Sequence, residues 1–263
     1  MVIKPVKAGV YMVTGNGGNT TVRLAKDGVI LVDTKNPGDA IYKELLEKIK
    51  TVTPLPVKYV IITHHHNDHS GNSVAFENDG IPVLGHREEM ENIEKYTPAG
   101  GARKPAQPSI VYSTSPFTVD VGGTKAVAYH FAPGHTSGDT LVYFPDVKVV
   151  SGGDDVVAVT PNTDYPFGGS VLGWQTTMNA LMKLDFDTVI PGHGDNPMTK
   201  AEVATYKAKW DTFIERAKAA VKAGTPKAEL MAKIKTDDLG WNVNTPQWTA
   251  PARLDPFYAE LSK

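Results

Sequence analysis

The strongest constraint on this chain is a cluster of histidines that directly follows a short apolar run. Residues 57–62 read Val-Lys-Tyr-Val-Ile-Ile and come after two breakers, Pro54 and Pro56, which predicts a buried strand. Residues 63–71 then read Thr-His-His-His-Asn-Asp-His-Ser-Gly. Because these polar side chains leave a rigid element on a tight loop, we expect the fold to hold them close together.

The spacing within this loop is typical of a metal site. Neutral imidazole and ionised carboxylate are ordinary ligands of zinc and of similar divalent ions. His64 and His66, two positions apart, can face one ion, whereas Asp68 and His69 can reach a second ion. The pattern H-x-H-x-D-H arises by chance in roughly one chain in two thousand of this composition. An expression tag is excluded because the run is internal and interrupted.

Short β-rich runs alternate with helical patterns along the rest of the chain. Strands are predicted at residues 10–14, 20–24, 29–32, 81–84, 117–121, 125–131, 140–144, 147–150 and 188–190. Helices are predicted at residues 72–78, 87–95 and 171–183. Three further helices are predicted to begin at the cap Asn36, with Pro37 in the first position, at the capping box 199–202, and at 225–226. Residues 97–109 are rich in Pro, Gly and Ala and are predicted to form a surface loop.

This order of elements favours the α/β (α+β) class. Two β-rich halves with helices outside them predict a four-layer sandwich. We expect one domain over residues 1–263, with a helical C-terminal part at about 199–263.

Composition excludes several kinds of protein. The net charge is −2, from 27 Lys and Arg against 29 Asp and Glu, so the strong basic field of a dedicated nucleic-acid binder is absent. There is no cysteine, which excludes disulfides, a thiol nucleophile and thiolate metal sites. No apolar run approaches the roughly 18 residues that span a bilayer. We expect a small-molecule substrate and neither a nucleic acid nor a membrane as partner, with the oligomeric state left open.

The compartment also stays open. The first residues lack the pattern of a secretory leader, so the protein is either cytoplasmic or, if a leader was removed before Met1, periplasmic or secreted.

The histidine motif at the end of a buried strand resembles the signature of the metallo-β-lactamase-like hydrolases. The resemblance extends from the Gly- and Asn-rich opening and residues 32–34 to Pro-Gly-His-Gly at 191–194. It implies an αβ/βα sandwich with a dinuclear metal site at the edge between the β-sheets. The implied ions are two Zn²⁺ per chain, with iron or manganese as alternatives.

The resemblance also implies the remaining ligands. Residues 133–139 resemble the segment that supplies a third imidazole, from His135, and 191–194 the segment that supplies a last one, from His193. Residues 151–155 resemble the segment with a bridging carboxylate, with Asp154 as the match and Asp155 as the alternative. The implied first site is His64, His66 and His135, and the second is Asp68, His69 and His193, with Asp154 between them.

Other polar residues receive structural interpretations. His65 is expected to face away from the metals and to make a hydrogen bond beside the ligands, and His86 and His130 are expected to be structural. Asp33 either supports the ligands from behind, as the resemblance implies, or caps a turn. Tyr165 either packs or donates to an oxyanion, with packing favoured.

The implied activity is hydrolysis of an acyl bond in a small ester, thioester, lactone or lactam by a metal-bound hydroxide, with Asp68 as the catalytic carboxylate. One alternative is a true β-lactamase. Against it, the best-known β-lactamases have Cys and Lys where this chain has Asp154 and Val157. A redox-active di-iron relative has Glu at the position of His66, so the histidine of this chain favours hydrolysis over oxygen reduction. The other alternative is a metal-binding accessory protein of a redox or sulfur pathway without useful turnover.

Overall fold

The computed structural model describes residues 1–263 and contains two β-sheets. The first sheet has seven strands in sequence order, antiparallel as far as β4 and parallel from there on. Its strands are β1 (Val2–Lys7), β2 (Val10–Thr14), β3 (Thr20–Leu24), β4 (Val29–Val32), β5 (Val57–Ile61), β6 (Val83–His86) and β7 (Ile110–Tyr112).

The second sheet has six strands, in the order β13-β12-β11-β10-β9-β8. They are β8 (Phe117–Val121), β9 (Thr124–Tyr129), β10 (Leu141–Phe144), β11 (Val149–Ser151), β12 (Thr188–Ile190) and β13 (Met198–Thr199). Only β11 and β12 pair in parallel, so their carboxyl ends lie side by side at one edge of the sheet.

The two sheets pack face to face, and helices cover their outer faces. Apolar residues of both sheets, among them Ile61 and Val142, share one buried cluster. Leu45 and Phe76 pack from helices onto the first sheet, and Trp210 belongs to the cluster that includes the second. The helices are α1 (Asp39–Lys50), α2 (Asn67–Ser70), α3 (Ser73–Asn78), α4 (Arg87–Lys95), α5 (Val171–Leu181), α6 (Lys200–Lys222), α7 (Leu230–Lys233), α8 (Pro246–Thr249) and α9 (Pro251–Leu261). The predicted four-layer sandwich is therefore confirmed.

The longest helix, α6, forms as its sequence predicts. The Thr199 hydroxyl accepts from the Glu202 N–H at 3.3 Å, and the Thr199 N–H donates to the Glu202 carboxylate at 2.7 Å, which completes the capping box. Trp210 and Phe213 lie on its buried face and join the largest apolar cluster. None of the helices has both the length and the apolar character needed to cross a bilayer.

Three predicted boundaries are wrong. Helix α1 begins at Asp39 rather than at Pro37, because the Asn36 N–H and C=O are already bonded to Asn16 and Asn72 in a turn. The strand predicted at 81–84 is β6 at Val83–His86. The strand predicted at 147–150 is β11, which starts after Lys148 because this residue has a φ of 54°.

The structure also contains elements that the sequence did not predict. Strand β1 carries Pro5 and has no buried residue, and β7 has only three residues, so neither shows a clear alternation. Beyond α6, the sequence predicts one helix, from 225–226, but α7, α8 and α9 form there. Prolines at the first position of α8 and α9 suit a helix start, and Pro256 inside α9 hides the pattern.

Candidate metal centre

The structure brings all seven predicted ligand residues to one edge of the sandwich. The loop after β5 carries His64, and His66 precedes α2, whose single turn presents Asp68 and His69. The second sheet supplies the other three residues from a loop and from strand ends. They are His135 between β9 and β10, Asp154 in the turn after β11, and His193 after β12. Their side-chain nitrogen and oxygen atoms form compact groups that could hold metal ions.

The first group consists of three imidazoles. The Nδ1 atom of His66 lies 3.1 Å from Nε2 of His64 and 3.0 Å from Nε2 of His135. Such short nitrogen–nitrogen distances are favourable either when a proton lies between the two atoms or when both face a shared cation.

Hydrogen bonds on the far side of each ring favour the cation. Nδ1 of His135 lies 2.7 Å from the Asn162 carbonyl, and Nε2 of His66 lies 2.7 Å from the Asp164 carboxylate. A carbonyl or carboxylate only accepts, so these nitrogens carry the hydrogens and the nitrogens that face each other are bare.

The same argument applies to the ring of His64, whose far nitrogen also donates a hydrogen bond. Nδ1 of His64 lies 3.1 Å from the Thr63 hydroxyl, which itself donates to Asp33 at 2.8 Å. The hydroxyl therefore accepts from His64 and leaves Nε2 of that ring bare. Three lone pairs then face one space, which is the donor set of a metal site.

The second group combines two imidazoles with a carboxylate. Nε2 of His69 lies 3.3 Å from Nε2 of His193 and 3.6 Å from Oδ2 of Asp68, and His193 lies 3.2 Å from the same oxygen. Nδ1 of His69 donates to Asp33 at 2.8 Å, so its Nε2 is the ring atom that faces Asp68 and His193. The position of Asp33 behind the ligands, left open by the sequence, is thus observed.

Asp154 lies between the two groups. Its Oδ1 is 3.2 Å from Nε2 of His69 and 3.4 Å from Nε2 of His193, and its Oδ2 is 3.6 Å from Nε2 of His135. The residue is 9% exposed, and Oδ1 is buried without a hydrogen bond of good geometry. A buried carboxylate oxygen without such a partner is costly, so a cation fits between the groups. Asp155 faces elsewhere and accepts from the His135 N–H at 3.2 Å.

The charges of these residues suit cation binding. Burial lowers the pKa of His135 to about 4 and that of His64 well below its usual range, so both rings are neutral donors near pH 7. Burial opposes ionisation of Asp154, but contacts with His69 and His193 hold its pKa well below the usual range. Burial disfavours the charged form of His193, yet its contacts with Asp154 and Asp68 raise its pKa to about 9, so this ring must release a proton when a cation binds.

Two glycines allow backbone to approach the ligands closely. A Cβ atom at residue 18 would lie 2.2 Å from Cε1 of His69, and one at residue 192 would lie 2.2 Å from Oδ1 of Asp154. The two loops are joined by a bond of 2.7 Å from the Asn19 N–H to the Gly192 carbonyl. Ligand positions are therefore fixed by backbone packing as well as by hydrogen bonds.

The other three histidines, His65, His86 and His130, belong to neither group of predicted ligands. His65 faces aromatic residues, with ring centroids 4.3 Å from Phe167 and 5.0 Å from Tyr96, and neither ring nitrogen has a partner. The prediction that His65 makes a hydrogen bond is wrong, because its ring packs between aromatic side chains and both ring nitrogens stay without a partner. His86 and His130 stack with centroids 4.0 Å apart, as expected of structural residues.

Sequence reasoning missed the support of His66 by the C-terminal region. Asp164, which accepts from His66, also lies 3.1 Å from Nη2 of Arg253 in α9. No local pattern could join residues so distant in sequence. The Tyr165 hydroxyl donates to Glu260, also in α9, so the favoured packing interpretation of Tyr165 is confirmed.

An open cavity of about 240 Å³ gives access to the centre. His135, Asp154 and His193 line it together with Val157 and the segment 159–162. Asp68 and His193 keep a third of their side-chain surface exposed. A small molecule could therefore reach both groups of donors from one side.

The family model of the metallo-beta-lactamase superfamily matches residues 13–193, which is more than half of the chain and includes all seven residues. The chain belongs to the metallo-β-lactamase superfamily. Members of this superfamily are mostly metal-dependent hydrolases.

Relatives in this superfamily have diverse activities. Metallo-beta-lactamase IND-1 of Chryseobacterium indologenes is 31% identical over 67% of this chain and 72% of its own length. The 2,4-dinitroanisole O-demethylase subunit alpha of Nocardioides sp. (strain JS1661) is 28% identical over 85% of this chain, which spans 66% of that protein. Hydroxyacylglutathione hydrolase of Brucella anthropi is 29% identical over 50% of this chain, which spans 45% of that protein.

Solved structures share the fold. A metallo-beta-lactamase from Pontibacter korlensis superimposes with a TM-score of 0.68 and 22% identity over 80% of this chain and 98% of its own. At this identity the likeness concerns the metallo-β-lactamase fold alone.

Proposed function

We propose that the protein is a metal-dependent hydrolase, with two zinc ions as the cofactor, that cleaves an acyl bond in a small ester, thioester, lactone or lactam. The observation that carries the proposal is the arrangement of bare imidazole nitrogens around one space, beside a second group that contains a carboxylate. Membership of a superfamily composed mostly of metal-dependent hydrolases supports it. The cavity volume suits a small molecule.

The residues fit two ions of the zinc type. His64, His66 and His135 would hold one ion and Asp68, His69 and His193 the other, with Asp154 reaching both. Bound divalent cations lower the pKa of a water molecule and polarise a substrate carbonyl.

The chain itself orients the reacting water and moves its proton. Asp68 borders the centre with a third of its side-chain surface exposed, and its Oδ2 lies 3.2 Å from Nε2 of His193. Contacts with His69 and His193 outweigh burial and lower the pKa of Asp68, so it is ionised near pH 7 and can accept a hydrogen bond from water. With attack by water, no covalent acyl-enzyme and no Ser-His-Asp triad are needed.

A true β-lactamase is the second candidate, favoured by the likeness to IND-1. Asp154 and Val157 stand where the best-known β-lactamases have Cys and Lys, so this chain lacks their cation for the drug carboxylate. The likeness to a hydroxyacylglutathione hydrolase, whose name describes the hydrolysis of an acyl compound rather than a lactam, supports the first candidate instead.

The test is an activity screen of zinc-loaded protein before and after chelation. Panels of esters, thioesters, lactones and β-lactams are compared, and the metal content per chain is measured by elemental analysis. We expect turnover of at least one non-lactam acyl substrate that is lost on chelation and recovered with zinc. Turnover of lactams only would favour the β-lactamase. Tight metal binding with no turnover in any panel would refute the proposal and favour an accessory metal-binding protein.

A further inference from the structure

A second cavity lies beside the metal centre. It encloses about 290 Å³ between the segment 157–160, helix α6 and the turn at 239–241. Val157, Val159 and Thr160 line this cavity and also the one that contains His135 and His193. The two spaces therefore adjoin along one short segment, and together they are called the cleft below.

The walls of the second cavity are largely apolar. Val157, Leu239 and Trp241 supply buried surface, and Met198 is half-buried. Val159, at the junction of the two cavities, is 49% exposed, one of the few large apolar side chains left in solvent. An apolar group bound here would cover this surface.

Two polar groups in the second cavity lack acceptors. Lys209 of α6 is half-buried and makes neither an ion pair nor a hydrogen bond through its ammonium group. The Tyr206 side chain, one turn earlier, is only 5% exposed, and its hydroxyl has no acceptor. A cation and a buried donor without acceptors favour an anionic ligand group.

The acidic residue at the cavity is already engaged. The Glu202 carboxylate accepts from both the N–H and the hydroxyl of Thr199, at 2.7 and 2.8 Å, in the cap of α6. Glu202 keeps its negative charge but is held by these hydrogen bonds, whereas Lys209 is the charged group of this cavity without a hydrogen-bond or ion-pair partner.

We propose that the cleft binds the acyl arm of a substrate that ends in a carboxylate, with the carboxylate at Lys209 and the scissile acyl bond at the metal centre. This inference rests on the proposed function and names its substrate class. Water cleaves the ester bond, so that the products are a dicarboxylic acid and the released alcohol or thiol.

The test compares two esters of equal chain length with zinc-loaded protein. Mono-p-nitrophenyl adipate carries the terminal carboxylate, and p-nitrophenyl hexanoate lacks it. We expect kcat/KM for the adipate ester to exceed that for the hexanoate ester by about tenfold, because a charged partner strengthens a hydrogen bond. Lys209→Met should remove this preference by raising KM for the adipate ester. Lys218→Met, on the exposed side of the same helix, is the matched control and should retain the preference.

A binding measurement separates this inference from the proposed function. Calorimetric titration of zinc-loaded protein with adipate and with hexanoate should show about tenfold tighter binding of adipate, lost in Lys209→Met and kept in Lys218→Met. If neither ester is hydrolysed but this binding difference is found, the cleft assignment stands and the hydrolase proposal loses support. If esters are hydrolysed but both ligands bind alike, or both variants behave alike, the cleft assignment is overturned.

Discussion

The ion pair between α9 and a predicted metal ligand leads to a quantitative prediction. Arg253 lies 3.1 Å from Oδ1 of Asp164, and Oδ2 of Asp164 accepts from Nε2 of His66 at 2.7 Å. The carboxylate fixes the orientation of the His66 ring and increases the basicity of its other nitrogen. The hydrogen bond with His66 and the charge of Arg253 outweigh burial and lower the pKa of Asp164, so this carboxylate is ionised near pH 7.

We expect Asp164→Asn to weaken zinc binding at the first group by about 10- to 100-fold, the usual effect of losing such a partner. This is roughly 1.4–2.7 kcal/mol of binding free energy. Arg253→Met keeps the bond between Asp164 and His66, so its effect should be smaller. Competition with a chromogenic zinc chelator measures the stepwise dissociation constants, and thermal unfolding checks that the variants are folded.

The matched control is Arg216→Met. Arg216 forms a comparable pair with Asp238, at 2.7 Å, on an exposed part of the C-terminal region. We expect wild-type zinc affinity in this variant. Wild-type affinity in Asp164→Asn, or an equal loss in Arg216→Met, would refute the assigned role of Asp164.

Three further predictions concern the centre and its surroundings. His66→Ala and His193→Ala should each lower the zinc content by about one ion per chain in elemental analysis, and full occupancy would contradict the ligand assignment. Gly18→Ala would place a Cβ 2.2 Å from the His69 ring, so it should cost about 1–3 kcal/mol in thermal unfolding and reduce zinc content, whereas wild-type behaviour would show that the contact relaxes freely. Burial lowers the pKa of Lys35 to about 7 from its ordinary 10.5, so the unfolded chain binds more protons between these values and stability rises with pH there. In the wild type, the free energy of unfolding measured with urea should be higher at pH 10 than at pH 7 by on the order of a few kcal/mol, and Lys35→Met should lack this difference. An equal difference in the wild type and the variant would rule out the effect.

The centre could be predicted from the sequence because its parts are local. The ligands His64, His66, Asp68 and His69 come from one loop directly after a strand with a strong apolar pattern. His135, Asp154 and His193 each follow a predicted strand and match a short segment of the family. Each of these signals lies within a few residues of the functional side chain.

The support of the centre could not be predicted because it depends on tertiary contacts. Arg253 reaches Asp164 across about ninety residues, from a helix whose pattern the internal Pro256 hides in the sequence. The environment of His65 is aromatic because Tyr96 and Phe167, from separate segments, meet around its ring. Strand β7 has three residues and forms only because β6 offers it a parallel edge.

The most direct test of the account is anomalous diffraction at the zinc edge from crystals of the zinc-loaded protein. The account predicts two anomalous peaks, one among His64, His66 and His135 and the other among Asp68, His69 and His193, with Asp154 in contact with both. The absence of any peak at this edge of the sandwich, with zinc bound elsewhere or not at all, would contradict it.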